Sequence, residues 1–285
     1  MASMRDIKRR KSSIQSTQQI TKAMKLVSTV KLQRAKQRAE NSKAYFDGMY
    51  RTVSAILAKA GSVQHPYVIG NNSSRKAVIM ITGNRGLAGG YNTNIIKLIT
   101  KGNFRKEDLD IYAIGSKGCD ALAGYGYRIK AVYRDLSEEP AYEDAAGISH
   151  AVLAAYNGGE IGEIYLAYTS FQNTVSHEPK LIRLLPAVAD RDVIEEETSD
   201  ALMNFEPEEE EALGLIIPKY LTSLIYGGLV ESIASENGAR MQAMDSATSN
   251  AEEMIDSLSL LYNRARQGAI TQELTEIIAG AEAIS

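Results

Sequence analysis

The sequence predicts an α/β protein in which two long terminal helices, paired antiparallel as a coiled coil, enclose a domain of strands alternating with helices. Three observations carry this. Residues 3–59 hold no proline and one glycine, Gly48, and residues 219–285 hold no proline; both repeat apolar side chains every three or four positions. Residues 75–190 alternate short β-branched or aromatic runs with helix-like stretches. The ends also carry opposite charge. Residues 1–43 have twelve Lys/Arg against two Asp/Glu, a balance of +10, and residues 204–285 have four against fourteen, a balance of −10, within a net charge of −3.

The first helix is rich in Lys, Arg, Gln, Ala and Met, all good helix formers. Ile20, Met24 and Val27 are expected on its seam, continued by Tyr45, Met49, Val53, Ile56 and Ala60. Gly61 and Pro66 stop it, and residues 70–74 (GNNSS) read as a connection. Strands are expected at 76–82, 110–115, 127–133, 163–170 and 180–188, with helices at 92–101, 116–124 and 142–156. No helix separates the last two strands, so they are expected to pair as a hairpin. Acids from Glu208 to Glu211 suit a helix start, where the macrodipole favours negative charge. Pro218 is expected to open the main helix, where its missing N–H costs little.

From Met241 a seam runs through Met244, Thr248, Ala251, Ile255, Leu258, Tyr262, Ala265 and Ala269, in steps of three and four. Such a helix would be roughly 100 Å long at about 1.5 Å per residue. One thin apolar stripe cannot bury so long a rod in an ordinary domain. Pairing the basic first helix with the acidic last one solves this, and the excess length of the last must project or reach another protein. The expected division is a helix over 1–60, an α/β domain over 75–205, and a helix over 207–285 that returns to pair with the first.

Composition narrows the function. Hydrophobic content of 44% and charged content of 24% place the chain among soluble globular proteins. The single cysteine, Cys119, excludes an internal disulfide or a CxxC site, and His65, His150 and His177 are scattered and expected at surface or turn positions. The basic N-terminus is followed by no apolar core, so no targeting peptide is expected. Residues 212–230 are apolar over a span length, but Pro218 and Lys219 near their middle argue for a buried helix.

Gly83, Gly86, Gly89 and Gly90 follow the first strand. A phosphate-binding P-loop would end in Gly-Lys-Ser/Thr, whereas this run ends GGYN; a dinucleotide fingerprint would read GxGxxG. The simpler reading is a strand-to-helix turn. Arg85, held in that turn, suits either a partner contact or a structural ion pair. Ser149-His150 lacks a nucleophile-elbow context, and Lys8–Lys11 has no interleaved aromatic residues for nucleic acid.

Four blocks carry a family resemblance: ITKAMKLVSTVKLQRA (20–35), NRGLAGGYN (84–92), ASENGARMQAMDSATSNA (234–251) and ARQGAITQELTEIIAGAEA (265–283). In order and spacing, the sequence resembles the gamma subunits of F-type ATP synthases over essentially its whole length. In the last block Ile270, Thr271, Glu273, Leu274, Glu276, Gly280 and Ala281 fall in place. The family's central loop usually reads Ser-Asp-Arg-Gly-Leu-Cys-Gly; here Gly83, Asn84 and Ala88 depart from it, and a plastid-type regulatory dithiol is not expected.

The resemblance implies a left-handed antiparallel coiled coil and a Rossmann-like central domain. Its implied role is a rotor shaft without catalytic, cofactor-binding or metal-binding residues of its own. Implied partners are the alpha and beta subunits of the catalytic hexamer, the epsilon subunit and the c-ring, with one copy of this chain per complex and no nucleic acid. Nucleotide and Mg are expected on the alpha and beta subunits. The chain is expected on the cytoplasmic face of the cell membrane, peripheral, with no transmembrane segment. By motif, Met24, Lys25, Arg240, Gln267, Thr271 and Glu273 are the implied shaft-to-ring contacts, although Met24 also fits a plain seam residue.

Overall fold

A computed structural model describes residues 3–59, 65–134, 136, 139–174, 176–187 and 209–282. Ala60, Gly61, Val188 and Glu208, and the 189–205 end of the expected α/β domain, lie outside the described residues. Two helices exceed all others in length: α1 (Met4–Lys59) and α6 (Glu209–Glu282). Between them come α2 (Pro66–Ile69), β1 (Lys76–Ile81), α3 (Tyr91–Thr100), β2 (Leu109–Ile114) and α4 (Ser116–Gly124). Then follow β3 (Arg128–Tyr133), α5 (Tyr142–Asn157), β4 (Glu163–Phe171) and β5 (His177–Leu185). The strands and helices expected from periodicity form, with ends shifted by a few residues. Pro66 does more than stop α1: it sits in the first turn of α2, whose Tyr67 N–H donates to His65 Nδ1 at 3.1 Å.

The chain divides into two compact units, one of residues 29–239 and one of residues 1–28 with 240–285, so both long helices run through the division. In the first unit the sheet order is β3-β2-β1-β4-β5. The first four strands are parallel, and β5 returns antiparallel on β4 as the expected hairpin. α3 and α4 cover one face, where Ile95, Ile99, Cys119 and Leu122 meet Val78, Met80 and Ile111. The other face is covered by α5, the end of α1 and the start of α6. There Val53, Ile56, Ile148, Val152, Leu213 and Ile217 meet Ile79, Ile114 and Leu166. Burial on both faces is why β1 and β2 read as nearly continuous apolar runs.

Residues 212–230 belong to this core. One described helix, 210–281, is long and apolar enough to cross a membrane, but Leu213, Ile217, Leu221, Ile225 and Leu229 are at most 1% exposed within the unit. Pro218 does not open α6, contrary to the sequence reading; it lies inside the helix. An interior proline costs about 3 kcal/mol. Each of those five aliphatic side chains repays about 1.5–3 kcal/mol on burial, so packing outweighs local propensity.

In the second unit α1 and α6 pair antiparallel. Gln18 Nε2 donates to Glu252 at 3.0 Å, the hydroxyls of Thr21 and Thr248 meet at 2.8 Å, and Lys25 Nζ meets Asp245 at 2.5 Å. The α6 seam is the expected one: Met244, Thr248, Ala251 and Leu258 are buried, and the other positions named above are half-buried. The α1 seam corrects the sequence reading. Ile20 and Val27 are 60% and 58% exposed. The buried or half-buried ladder is Met4, Ile7, Lys11, Ile14, Gln18, Thr21, Lys25 and Ser28, again in steps of three and four. Polar residues hold it because Thr21 and Thr248 satisfy one another; a hydrogen-bonded buried hydroxyl costs little. Tyr45, also expected on a seam, is 52% exposed.

Candidate functional site

The glycine turn leaves the C-terminal end of β1. Order in the sheet reverses between β1 and β4, with α3 on one face and α5 on the other. That reversal is where open α/β sheets present a ligand crevice. The turn is braced throughout. Thr82 Oγ1 donates to the Ile114 carbonyl at 3.0 Å and accepts from Gly118 N–H at 3.0 Å. Gly83 N–H donates to Asn92 Oδ1 at 2.8 Å, and Asn92 Nδ2 donates to the Arg85 carbonyl at 3.2 Å. Asn84 Oδ1 accepts from Ser116 N–H at 2.9 Å, while its Nδ2 donates to the Arg134 carbonyl at 2.5 Å. At the tip, Leu87 and Gly89 take positive φ of 60° and 54°, and Leu87 is 64% exposed.

The chain itself fills the place of a ligand. A Cβ added to Gly83 would lie 2.6 Å from Glu236 Oε1 of α6, so a larger residue there would have to push that side chain aside; close approach of α6 accounts for the glycine without a phosphate. Ser232 and Ser235, within one turn of Glu236, hydrogen-bond the backbone of Thr169 beyond the end of β1. α6 thus crosses the carboxyl ends of β1 and β4. A nucleotide would have to displace a helix whose core residues are fully buried.

At the opposite end of the strands, Asp110 is 1% exposed and bridges Arg75 at 2.7 Å and Arg128 at 2.6 Å. Two guanidinia compensate one buried carboxylate, a structural clamp across β1, β2 and β3. Beside it, Lys76 pairs with Glu163 at 2.7 Å, and that lysine and the Tyr165 hydroxyl hold the Glu163 carboxyl below its ordinary pKa against the opposing effect of burial. Burial, reinforced by the same carboxylate, pushes the Tyr165 phenol up to about 12.

The histidines divide. His150 is exposed on α5. His177 corrects the expectation of a surface residue: both ring nitrogens are buried without a hydrogen bond among the described residues, and burial lowers its pKa. Burial also lowers the pKa of His65, partly opposed by Glu210. Among the described residues no group of three or more His, Cys, Asp or Glu is placed to hold a metal.

The residues singled out by motif fall into separate groups. Met24 and Lys25 are half-buried on α1, with Lys25 paired to Asp245. Arg240 is half-buried on α6. Gln267, Thr271 and Glu273 lie far along α6 and are exposed, and the Thr271 hydroxyl donates to the Gln267 carbonyl at 2.9 Å. Every residue from Ile270 to Ala281 is exposed. Ile270, Leu274, Ile277 and Ile278 nevertheless repeat at helical spacing, forming an apolar stripe that no described part of this chain covers. Sequence reasoning missed Gln18, Thr21, Glu231, Ser232 and Ser235. The unbroken three-four ladder would have shown the first two had polar residues been admitted to it; no local signal marks the other three.

Fold and site define a class of protein: one unit pairs two antiparallel helices, and the other is a Rossmann-like α/β unit whose crevice is met by its own helix α6. The sequence profile described as ATP synthase matches residues 3–284. The ATP synthase gamma chain of Lachnoclostridium phytofermentans is 63% identical over 291 aligned residues, covering 100% of both chains. The sodium-ion-specific ATP synthase gamma chain of Acetobacterium woodii is 40% identical, covering 99% of each. A chain from the central stalk and c-ring of the Tetrahymena thermophila mitochondrial ATP synthase has a TM-score of 0.61 at 25% identity, covering 80% of this chain and 99% of that one. A chain of the Euglena gracilis mitochondrial ATP synthase shares the fold, with a TM-score of 0.72 at 20% identity over 99% and 94% of the two chains. This chain belongs to the ATP synthase gamma-chain family. By family it is a non-catalytic, central-stalk component of the rotary enzyme.

Proposed function

We propose that the chain is the shaft that couples ion-driven rotation of a c-ring to the conformational cycle of three catalytic beta subunits. It works as one copy inside an alpha–beta hexamer, in contact with an epsilon subunit, on the cytoplasmic face of the cell membrane. Nucleotide and Mg belong to the alpha and beta subunits. The observation that carries the reading is the exposed end of α6, whose apolar stripe lacks a partner within the described chain. In this reading a ring of catalytic subunits provides that partner.

A rod with unlike faces cannot touch three equivalent sites alike. Each orientation favours one set of open and closed sites, and turning the rod moves that preference around the ring. Nucleotide affinity changes by differential contact, which is what coupling requires. The basic α1 suits acidic loops on the ring. Met24, Lys25, Arg240, Gln267, Thr271 and Glu273 are the assigned contacts, and Arg85 joins them if the glycine turn also meets a partner.

The test is co-expression with alpha and beta subunits, then reconstitution of the full complex in vesicles. ATP hydrolysis by the assembled ring and ATP-driven ion pumping should both require the chain. Assembly of an equally active and equally pumping complex without it refutes the reading.

A further inference from the structure

β4 outruns β1. The two pair in register only from Lys76↔Glu163 to Met80↔Ala167, whereas β4 continues to Phe171. Backbone polar groups of alternate residues point to the same side of a strand. On the far side of β4, β5 pairs through His177 opposite Phe171, with Pro179 opposite Thr169. On the near side, no described strand lies beside residues 169 and 171.

α6 supplies what the missing strand would. Thr169 N–H donates to Ser232 Oγ at 3.2 Å, and Ser235 Oγ donates to the Thr169 carbonyl at 3.2 Å. Phe171 N–H donates to Glu231 Oε2 at 3.1 Å. Ser232 and Ser235 are both 0% exposed. Ser235 lies three and four positions from Ser232 and Glu231, so the three side chains fall within an arc of about 100° around the helix.

We propose that Glu231, Ser232 and Ser235 are positioning residues that fix the roll of α6 against the sheet, so that rotation carried by α6 reaches the α/β unit without slip. The inference rests on the shaft reading above. Its physical basis is a difference between two kinds of contact. Apolar burial is non-directional in itself, so it sets the buried face of α6 without defining its exact roll, which close packing alone tolerates within small changes. Hydrogen bonds to a strand edge are directional and weaken steeply when misaligned. The contacts of Leu213, Ile217, Leu221, Ile225 and Leu229 hold α6 on the sheet; the polar clasp sets its angle.

The experiment uses the reconstituted complex carrying Ser232→Ala with Ser235→Ala, and separately Glu231→Ala and Glu231→Gln. Two readouts are taken: ions pumped per ATP hydrolysed, and amide hydrogen exchange at Thr169 and Phe171. The double variant should exchange roughly fivefold faster at Thr169, the consequence of losing a typical hydrogen bond. It should keep most of the hydrolysis while its pumping ratio falls. Glu231→Ala should behave likewise at Phe171, and Glu231→Gln, which keeps an acceptor oxygen, should restore parental values.

Faster exchange with an unchanged pumping ratio overturns the proposal. So does unchanged exchange, or a proportional loss of hydrolysis and pumping, which marks a merely structural contact. If the double variant does not assemble, the Glu231 pair decides by the same criteria. Failure of the shaft reading itself is seen separately, as a parental complex whose pumping does not need the chain.

Discussion

Gly83→Ala tests whether the crevice is closed by the chain's own helix. The new methyl group would sit 2.6 Å from Glu236 Oε1, 2.7 Å from Cδ and 3.0 Å from Oε2. All three approaches are closer than van der Waals contact allows. Glu236 is 8% exposed, so its side chain must rearrange within the packed site to clear the methyl. Overpacking of this kind costs about 1–3 kcal/mol. A destabilisation of about 1–3 kcal/mol is expected, which lowers Tm by roughly 2–10 °C for a chain of this size. Thermal unfolding of Gly83→Ala, Glu236→Ala and the double variant forms a cycle. Because Glu236→Ala removes the clashing atoms, the double variant should be clearly more stable than the sum of the singles predicts. Strict additivity, or a neutral Gly83→Ala, refutes the argument that helix contact, rather than a ligand, requires this glycine.

Asp110→Ala should cost about 2–4 kcal/mol in denaturant unfolding, because it strands two guanidinia, although both arginines are partly solvated; Arg128→Ala, at a half-exposed partner, should cost about 1 kcal/mol or less. The pKa of His177 is depressed by burial, so between 6.5 and its lowered folded value the unfolded chain takes up a proton that the folded chain refuses. Stability should therefore be level above that window and fall as pH drops through it, and His177→Phe should flatten that part of the slope in pH-dependent unfolding. Met24→Lys should leave the circular-dichroism spectrum unchanged but lower ion pumping relative to ATP hydrolysis in reconstituted vesicles; an equal ratio in variant and parent counts against its role at the ring.

Local pattern was sufficient for the elements. Short β-branched and aromatic runs placed β1 to β5, and the three-four ladder placed the α6 seam from Met241 to Ala269, because that period follows from helix geometry alone. Opposite terminal charges and the return of the chain anticipated the antiparallel pairing, which Lys25–Asp245 and Gln18–Glu252 realise. The motif residues were legible as positions but not as neighbours. Nothing local distinguishes Met24, half-buried beside the seam, from exposed Ile20.

Tertiary contacts decided the rest. Thr21 belongs to a seam only because Thr248 is there to bond it, and Pro218 sits inside a helix only because five aliphatic side chains around it are buried in a shared core. The glycine turn is closed rather than open because Glu236, distant in sequence, approaches Gly83. The unpaired end of β4 is satisfied by Ser232, Ser235 and Glu231 because β1 stops short. Each outcome pairs groups far apart along the chain, and the free energy of such a pair depends on a partner whose position no local period encodes.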